Sequence, residues 1–146
     1  MAVQLVECRH GRFLVLENDE YVGRCLEKYG EYSEDEVRVF SEIVRPGDTV
    51  VEAGANIGAH TIPLSKLVGP TGNVLAFEPQ PHIFHLLCGN LGLNGCYNVD
   101  AYPMAIGEEG DNRLLPKIDY ESEFNFGGVA LSDRGERVVS VASLDR

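Results

Sequence analysis

The chain has 146 residues, enough for one domain with a real core, and 44% of them are hydrophobic, as in an ordinary globular protein. A net charge of −11 at pH 7 argues against nucleic acid or anionic membrane as partners, since both are held by Lys and Arg patches. No run approaches the ~18 apolar residues of a membrane span, no basic-plus-apolar leader precedes Val3, and Cys8, Cys25, Cys88 and Cys96 form no Cys-x-x-Cys pair, so free thiols in a cytoplasmic protein are expected.

Residues 3–16 read as a hairpin, with Val3, Leu5 and Val6 on one arm, residues 12–16 on the other and Arg9-His10-Gly11 at the turn. Asn18, Asp19 and Glu20 offer an N-cap and an acidic first turn to a short helix through Leu26, which Tyr29-Gly30-Glu31-Tyr32 breaks. Ser33 and Glu36 have capping-box spacing, and Val37, Phe40 and Val44 follow at helical intervals, which predicts a second helix to about Arg45. Pro46-Gly47-Asp48 then turns the chain into a strand. Thr49, Val50 and Val51 are β-branched, as in a short strand buried on both faces, and Glu52 stands at its carboxyl end. Gly54-Ala55-Asn56-Ile57-Gly58 is a glycine turn leading into a helix that carries Ile62, Leu64 and Leu67. The first amides of that helix should point back at the turn and suit a carboxylate or phosphate.

Beyond the Gly69–Gly72 loop, Asn73 opens a second strand that ends on Glu78, and Pro81 opens a third long helix with Ile83, Leu86, Leu87 and Leu91 on its apolar face. His82, His85 and Cys88 fall on one face of it. With no fourth ligand nearby they read as a solvent-facing stripe rather than a metal site. A third strand is expected between residues 97 and 106, ending at Ala105-Ile106-Gly107. From Arg113 helical periodicity is lost. Leu114-Leu115 and residues 129–131 and 137–141 are short strand candidates, and residues 120–126 read as a loop with core-packing aromatics. The alternation of strand and helix in the middle of the chain predicts α/β architecture with one parallel sheet.

Two acids narrow the ligand. Glu78 follows Gly58 by 20 residues and ends the next strand, a place from which a carboxylate accepts both ribose hydroxyls. The loop is not Gly-x-Gly-x-x-Gly, because Asn56 stands where a pyrophosphate site wants glycine, and no Gly-Lys-Ser/Thr is present for a triphosphate. Glu52 beside the loop would repel a pyrophosphate but suits a ligand with an ammonium and a sulfonium. The expected cofactor is S-adenosyl-L-methionine (SAM).

The runs Pro46 to Gly58, Ala76-Phe77-Glu78-Pro79, Asn90-Leu91-Gly92-Leu93-Asn94, Asn125-Phe126-Gly127-Gly128 and Ser143-Leu144-Asp145 resemble the FkbM-type SAM-dependent methyltransferases, from about Tyr21 to the last residue. Glu52 stands where that family often has Asp. The resemblance implies a Rossmann-like class I methyltransferase sheet and O-methylation of a hydroxyl on a sugar or natural product, with a small-molecule or glycan acceptor and no nucleic acid. It implies that Gly54, Ala55, Asn56, Ile57 and Gly58 approach the methionine end of the cofactor. Glu52 would lie near its amino group through water, Glu78 would take the ribose hydroxyls, Pro79 would shape the adenine wall, and Ala105 and Ile106 would line the adenine slot. Residues 29–32 would fold over the cofactor as a lid.

The expected organisation is a hairpin-and-helix extension or lid over residues 1–32 and a partial SAM-binding domain over 33–146, with a β-rich end. The sheet is expected to be incomplete, holding its first three parallel strands and stopping before the fourth, with an uncovered edge open to self-association. No general base can be named, because the acceptor half is not represented. Two other readings stay open: a non-catalytic module that binds a nucleoside or a partner chain, and a nicotinamide-dependent oxidoreductase, disfavoured by the missing second loop glycine.

Overall fold

Pairing begins with the most local contacts. A computed structural model of the chain describes residues 2–108 and 113–145. β1 (Val3–Cys8) and β2 (Gly11–Leu16) form an antiparallel hairpin in which Cys8 faces Gly11, so Arg9 and His10 make a two-residue turn. β2 buries Phe13, Val15 and Leu16. Asp19 organises the next helix, α1 (Val22–Tyr29): its Oδ1 accepts the Tyr21 N–H at 3.1 Å and its Oδ2 the Gly23 N–H at 2.9 Å. α1 stops at Gly30, whose φ of 69° is the left-handed conformation of a helix C-terminus.

The capping box expected at α2 (Glu34–Ile43) does not form. Ser33 is itself left-handed, with φ 49°, and its side chain makes no cap bond. Glu36 turns instead to His60, 3.3 Å away. Glu34, Asp35 and Glu36 still place negative charge on the first turn, where the helix dipole favours it.

β3 (Thr49–Ala53), α3 (Thr61–Val68), β4 (Asn73–Phe77), α4 (Pro81–Leu93) and β5 (Val99–Tyr102) build the parallel sheet, in the order β3-β4-β5. One face, with Val50, Val74, Val99 and Ala76, is packed by residues of α3 and α4. On the other, Val51 is 41% and Tyr102 37% exposed, and Phe77 stacks on Tyr102 at 4.9 Å. β3 is therefore an edge strand with an open face, not a strand buried on both faces: among the described residues nothing pairs with its outer edge.

The expected third strand is broken in two. β5 ends at Tyr102, Pro103 supplies no ladder N–H, and β6 (Ala105–Ile106) leaves the sheet to pair in parallel with β9 (Val141–Ala142). β7 (Arg113–Leu115) pairs antiparallel with β8 (Arg137–Val139). Residues 129–131 form no strand, and Ser132 makes a single bridge to Leu114.

The hairpin is joined to α4 by two asparagines. The Asn90 carboxamide, fully buried, accepts the Leu14 N–H at 2.6 Å and donates to Leu14 O at 3.1 Å and Ile57 O at 2.7 Å. One turn later Asn94 accepts the Arg12 N–H at 2.9 Å and donates to Arg12 O at 2.7 Å. The two amides occupy the outer edge of β2 as a neighbouring strand would. One hydrophobic cluster then runs from Phe13 and Val15 through Leu26 and Ile57 to Leu87 and Phe126. Among the described residues no helix is long and apolar enough to cross a membrane.

Candidate functional site

The loop after β3 is wound tightly, with positive φ at Gly54 (79°), Asn56 (51°) and Gly58 (94°). Gly58 is required twice over, since a Cβ there would also lie 3.0 Å from Leu87 Cδ1. The loop satisfies its own amides. Gly54 and Ala55 N–H both reach Phe77 O at 2.9 Å, Asn56 N–H reaches Glu78 Oε2 at 3.0 Å, Ile57 N–H reaches Asn56 Oδ1 at 2.7 Å, and Gly58 N–H reaches Ala55 O at 2.9 Å. These five donors are thus committed inside the chain, and α3 begins only at Thr61.

A cavity of about 250 Å³ opens above this loop. Glu52, Gly54, Ala55 and Asn56 form its floor, Ala59 and His60 its helix side, Tyr21, Val22 and Tyr32 one wall, and Asn125, Gly127 and Gly128 the other. The register aligns Glu52 with Ala76 on β4, at the carboxyl ends of parallel strands where α/β sheets receive ligands. Thr61 Oγ1 donates to Glu52 Oε2 at 2.6 Å. Burial, reinforced by the charge of Glu78 and opposed by the Thr61 hydrogen bond, pushes the Glu52 carboxyl up to about 7. His60 lies between the rings of Tyr32 and Phe40, with centroids 5.5 and 5.4 Å away, and burial lowers its pKa.

Glu78 sits behind the floor rather than in the cavity. It is 3% exposed, and its two oxygens accept the Asn56 N–H at 3.0 Å and the Gln80 N–H at 2.8 Å. Burial raises its pKa despite those bonds. Tyr120, raised to about 12 by burial and then by the charge of Glu78, lies close to it.

Of the residues singled out from the sequence, Glu52, Gly54, Ala55 and Asn56 come together in the cavity. Ile57 is 1% exposed in the main core and Gly58 packs on Leu87. Pro79 is half-buried beside Glu78 and does not line the cavity. Ala105 and Ile106 are elsewhere: Ala105 packs with Leu115 and Val139, and both border a separate hollow with Leu131 and Val141. Within residues 29–32, Tyr32 lines the cavity and Tyr29 is 65% exposed. His82, His85 and Cys88 are exposed, and His82 packs edge-on to Tyr120 at 4.6 Å. The wall residues Tyr21, Asn125, Gly127 and Gly128 were not foreseen as site residues. The Asn125-Phe126-Gly127-Gly128 run was itself the available signal.

The chain shares its fold with methyltransferases of known structure. TYW2 of Methanocaldococcus jannaschii, solved in complex with AdoMet, aligns at a TM-score of 0.52 and 26% identity over 68% of this chain and 42% of that one. The M. jannaschii tRNA m1G37 methyltransferase aligns at 0.51 and 20% identity over 70% of this chain and 29% of that one. In sequence, the M. jannaschii tRNA (adenine(57)-N(1)/adenine(58)-N(1))-methyltransferase TrmI is 36% identical over 69 residues, 47% of this chain. The chain spans 24% of that relative's length. No family model matches the chain, so the FkbM-type resemblance stands on its motifs alone.

These likenesses overturn one expectation. Net charge argued against nucleic acid and the family resemblance implied a small-molecule or glycan acceptor, yet TrmI, matched in sequence, is a methyltransferase of tRNA. The physical reason is that net charge sums a whole chain, whereas RNA is held by local basic surface. This chain covers only a minor part of those proteins.

Proposed function

We propose that this chain forms the SAM-binding half of a methyltransferase. The observation that carries the reading is the pair of carboxylates at adjacent parallel strand ends, Glu52 in the cavity and Glu78 beneath it, around a loop with Asn56 in place of a pyrophosphate-binding glycine. Ionised Glu52 would face the ammonium of the methionine end, Glu78 would receive the ribose hydroxyls, and Pro79 would flank the base. Transfer itself is an in-line displacement from the sulfonium, in which the protein holds donor and acceptor in line. An acidic cavity also favours the cationic donor over its neutral-sulfur product.

RNA as the acceptor is supported by the named activity of TrmI, the relative matched in sequence. The hydroxyl-directed chemistry of the FkbM-type resemblance has less behind it, because the two motif runs that reach the cavity, Pro46 to Gly58 and Asn125 to Gly128, line the donor site rather than an acceptor site. With Asp and Glu outnumbering Lys and Arg 23 to 12, RNA would be gripped by basic surface outside this chain.

Calorimetric titration with S-adenosylhomocysteine, NAD and ATP tests the donor reading. The expected outcome is binding of S-adenosylhomocysteine alone, weakened more than about tenfold by Glu78→Gln through loss of a charge-assisted ribose contact. Binding of NAD with no response to S-adenosylhomocysteine would sink it.

A further inference from the structure

The cavity as it stands is too small for the donor it is read as holding. Its volume of about 250 Å³ lies below the ~300–1,000 Å³ of pockets that enclose a drug-sized ligand. Glu78, read as the ribose acceptor, lies beneath the floor and does not line the cavity. Both oxygens of that carboxylate are bonded to backbone amides, and residues 120–128 touch both residues that supply them. Gln80 Nε2 donates to Phe126 O at 2.7 Å, and Tyr120 Oη lies 3.5 Å from Gln80 Oε1. At the other end, a Cβ on Gly127 would lie only 3.1 Å from Asn56 Nδ2. Tyr120 stacks on Phe126 at 5.2 Å.

What holds this segment down comes from the far end of the chain. Asn18 Nδ2 donates to Tyr120 O at 2.9 Å and to Ser122 O at 2.6 Å, Phe124 N–H donates to Asn18 O at 3.2 Å, and Glu20 N–H donates to Phe124 O at 3.1 Å. By contrast, Glu121 to Phe124, Gly127 and Gly128 are exposed, with only Phe126 fully buried. Apart from Phe126, which sits in the main core, the segment lies mostly in water, and such a segment opens at lower cost than the sheet beneath it.

We propose that residues 120–128 are a strap, positioned by Asn18, that gates the nucleoside half of the cavity, so that a ribose reaches Glu78 only when the strap lifts. The proposal rests on the donor reading above. In the closed form the cavity admits the amino-acid end of the ligand beside Glu52. Lifting the strap frees Gln80 and Asn56 from it and uncovers Glu78. Asn18 touches no ligand; it sets how often the strap is open.

Two measurements on the whole chain test this. In stopped-flow binding of S-adenosylhomocysteine, Asn18→Ala removes both side-chain donors to the strap, and the association rate is expected to rise about tenfold as the open fraction grows. In hydrogen exchange of the ligand-free wild-type protein, the Phe124 amide is expected to exchange well before the amides of β4. An unchanged association rate, or a Phe124 amide that exchanges only together with β4, overturns the gate while leaving the donor reading intact. Absence of S-adenosylhomocysteine binding to either protein overturns the donor reading, and the gate with it.

Discussion

Glu52 keeps a proton that a free glutamate would have lost. Its pKa is about 7 in the folded protein against 4.5 for the ordinary side chain, with burial the main cause. The folded state therefore binds that proton more tightly than the unfolded chain does, and stability falls as pH rises from about 4.5 to about 7. The size is on the order of 3 kcal/mol, with Glu78 contributing in the same direction. Urea titrations at pH 5 and pH 8 should show this loss, and Glu52→Gln should reduce it and leave the protein more stable than wild type at pH 8. A cationic ligand placed beside Glu52 would draw the proton off, so its affinity would rise over the same interval.

At the scale of elements, strands and helices were legible where periodicity is local. The hairpin, the β3–loop–α3 unit, β4 and α4 follow directly from alternation, glycine placement and the apolar face of residues 83–91. Ser33 misled because its side chain and spacing suit a cap while the chain leaving Gly30 delivers it in a left-handed conformation. The break at Pro103 was written in the sequence, but the departure of β6 depends on Val141, far along the chain. The strap was illegible because its anchors are 102 and 104 residues away, at Asn18. Asn90 and Asn94 were visible as a motif, but their work was not, since pairing with a strand edge leaves no periodic trace. Asn90→Leu should cost roughly 3 kcal/mol or more in urea denaturation, because it strands one buried and two part-buried backbone groups at about 1–3 kcal/mol each. Asn94→Ala, at a half-exposed site where water can substitute, should cost about 1 kcal/mol.

Across the whole molecule, the N-terminal hairpin and the parallel sheet share one core. Phe13, Val15 and Leu16 are each no more than 2% exposed and belong to the cluster that holds Ile57 and Leu87. Burial of such side chains stabilises by about 1.5–3 kcal/mol each, so together they approach the total stability of a typical domain. Deletion of residues 2–16 should therefore abolish the cooperative thermal transition seen by circular dichroism rather than trim an appendage. Among the described residues α3 and α4 cover one face of the sheet, while Val51, Phe77 and Tyr102 line the other.

The bond from Asn90 to Ile57 also has a bearing on the order of folding. Ile57 precedes by 33 positions the side chain that makes this bond, and that same side chain must find Leu14, 76 residues upstream. Contacts so distant along the chain form late. The bond from Asn90 is therefore expected to close only once α4 has docked on the hairpin, later than the bonds the loop makes to Phe77 and Glu78, which lie nearer in sequence.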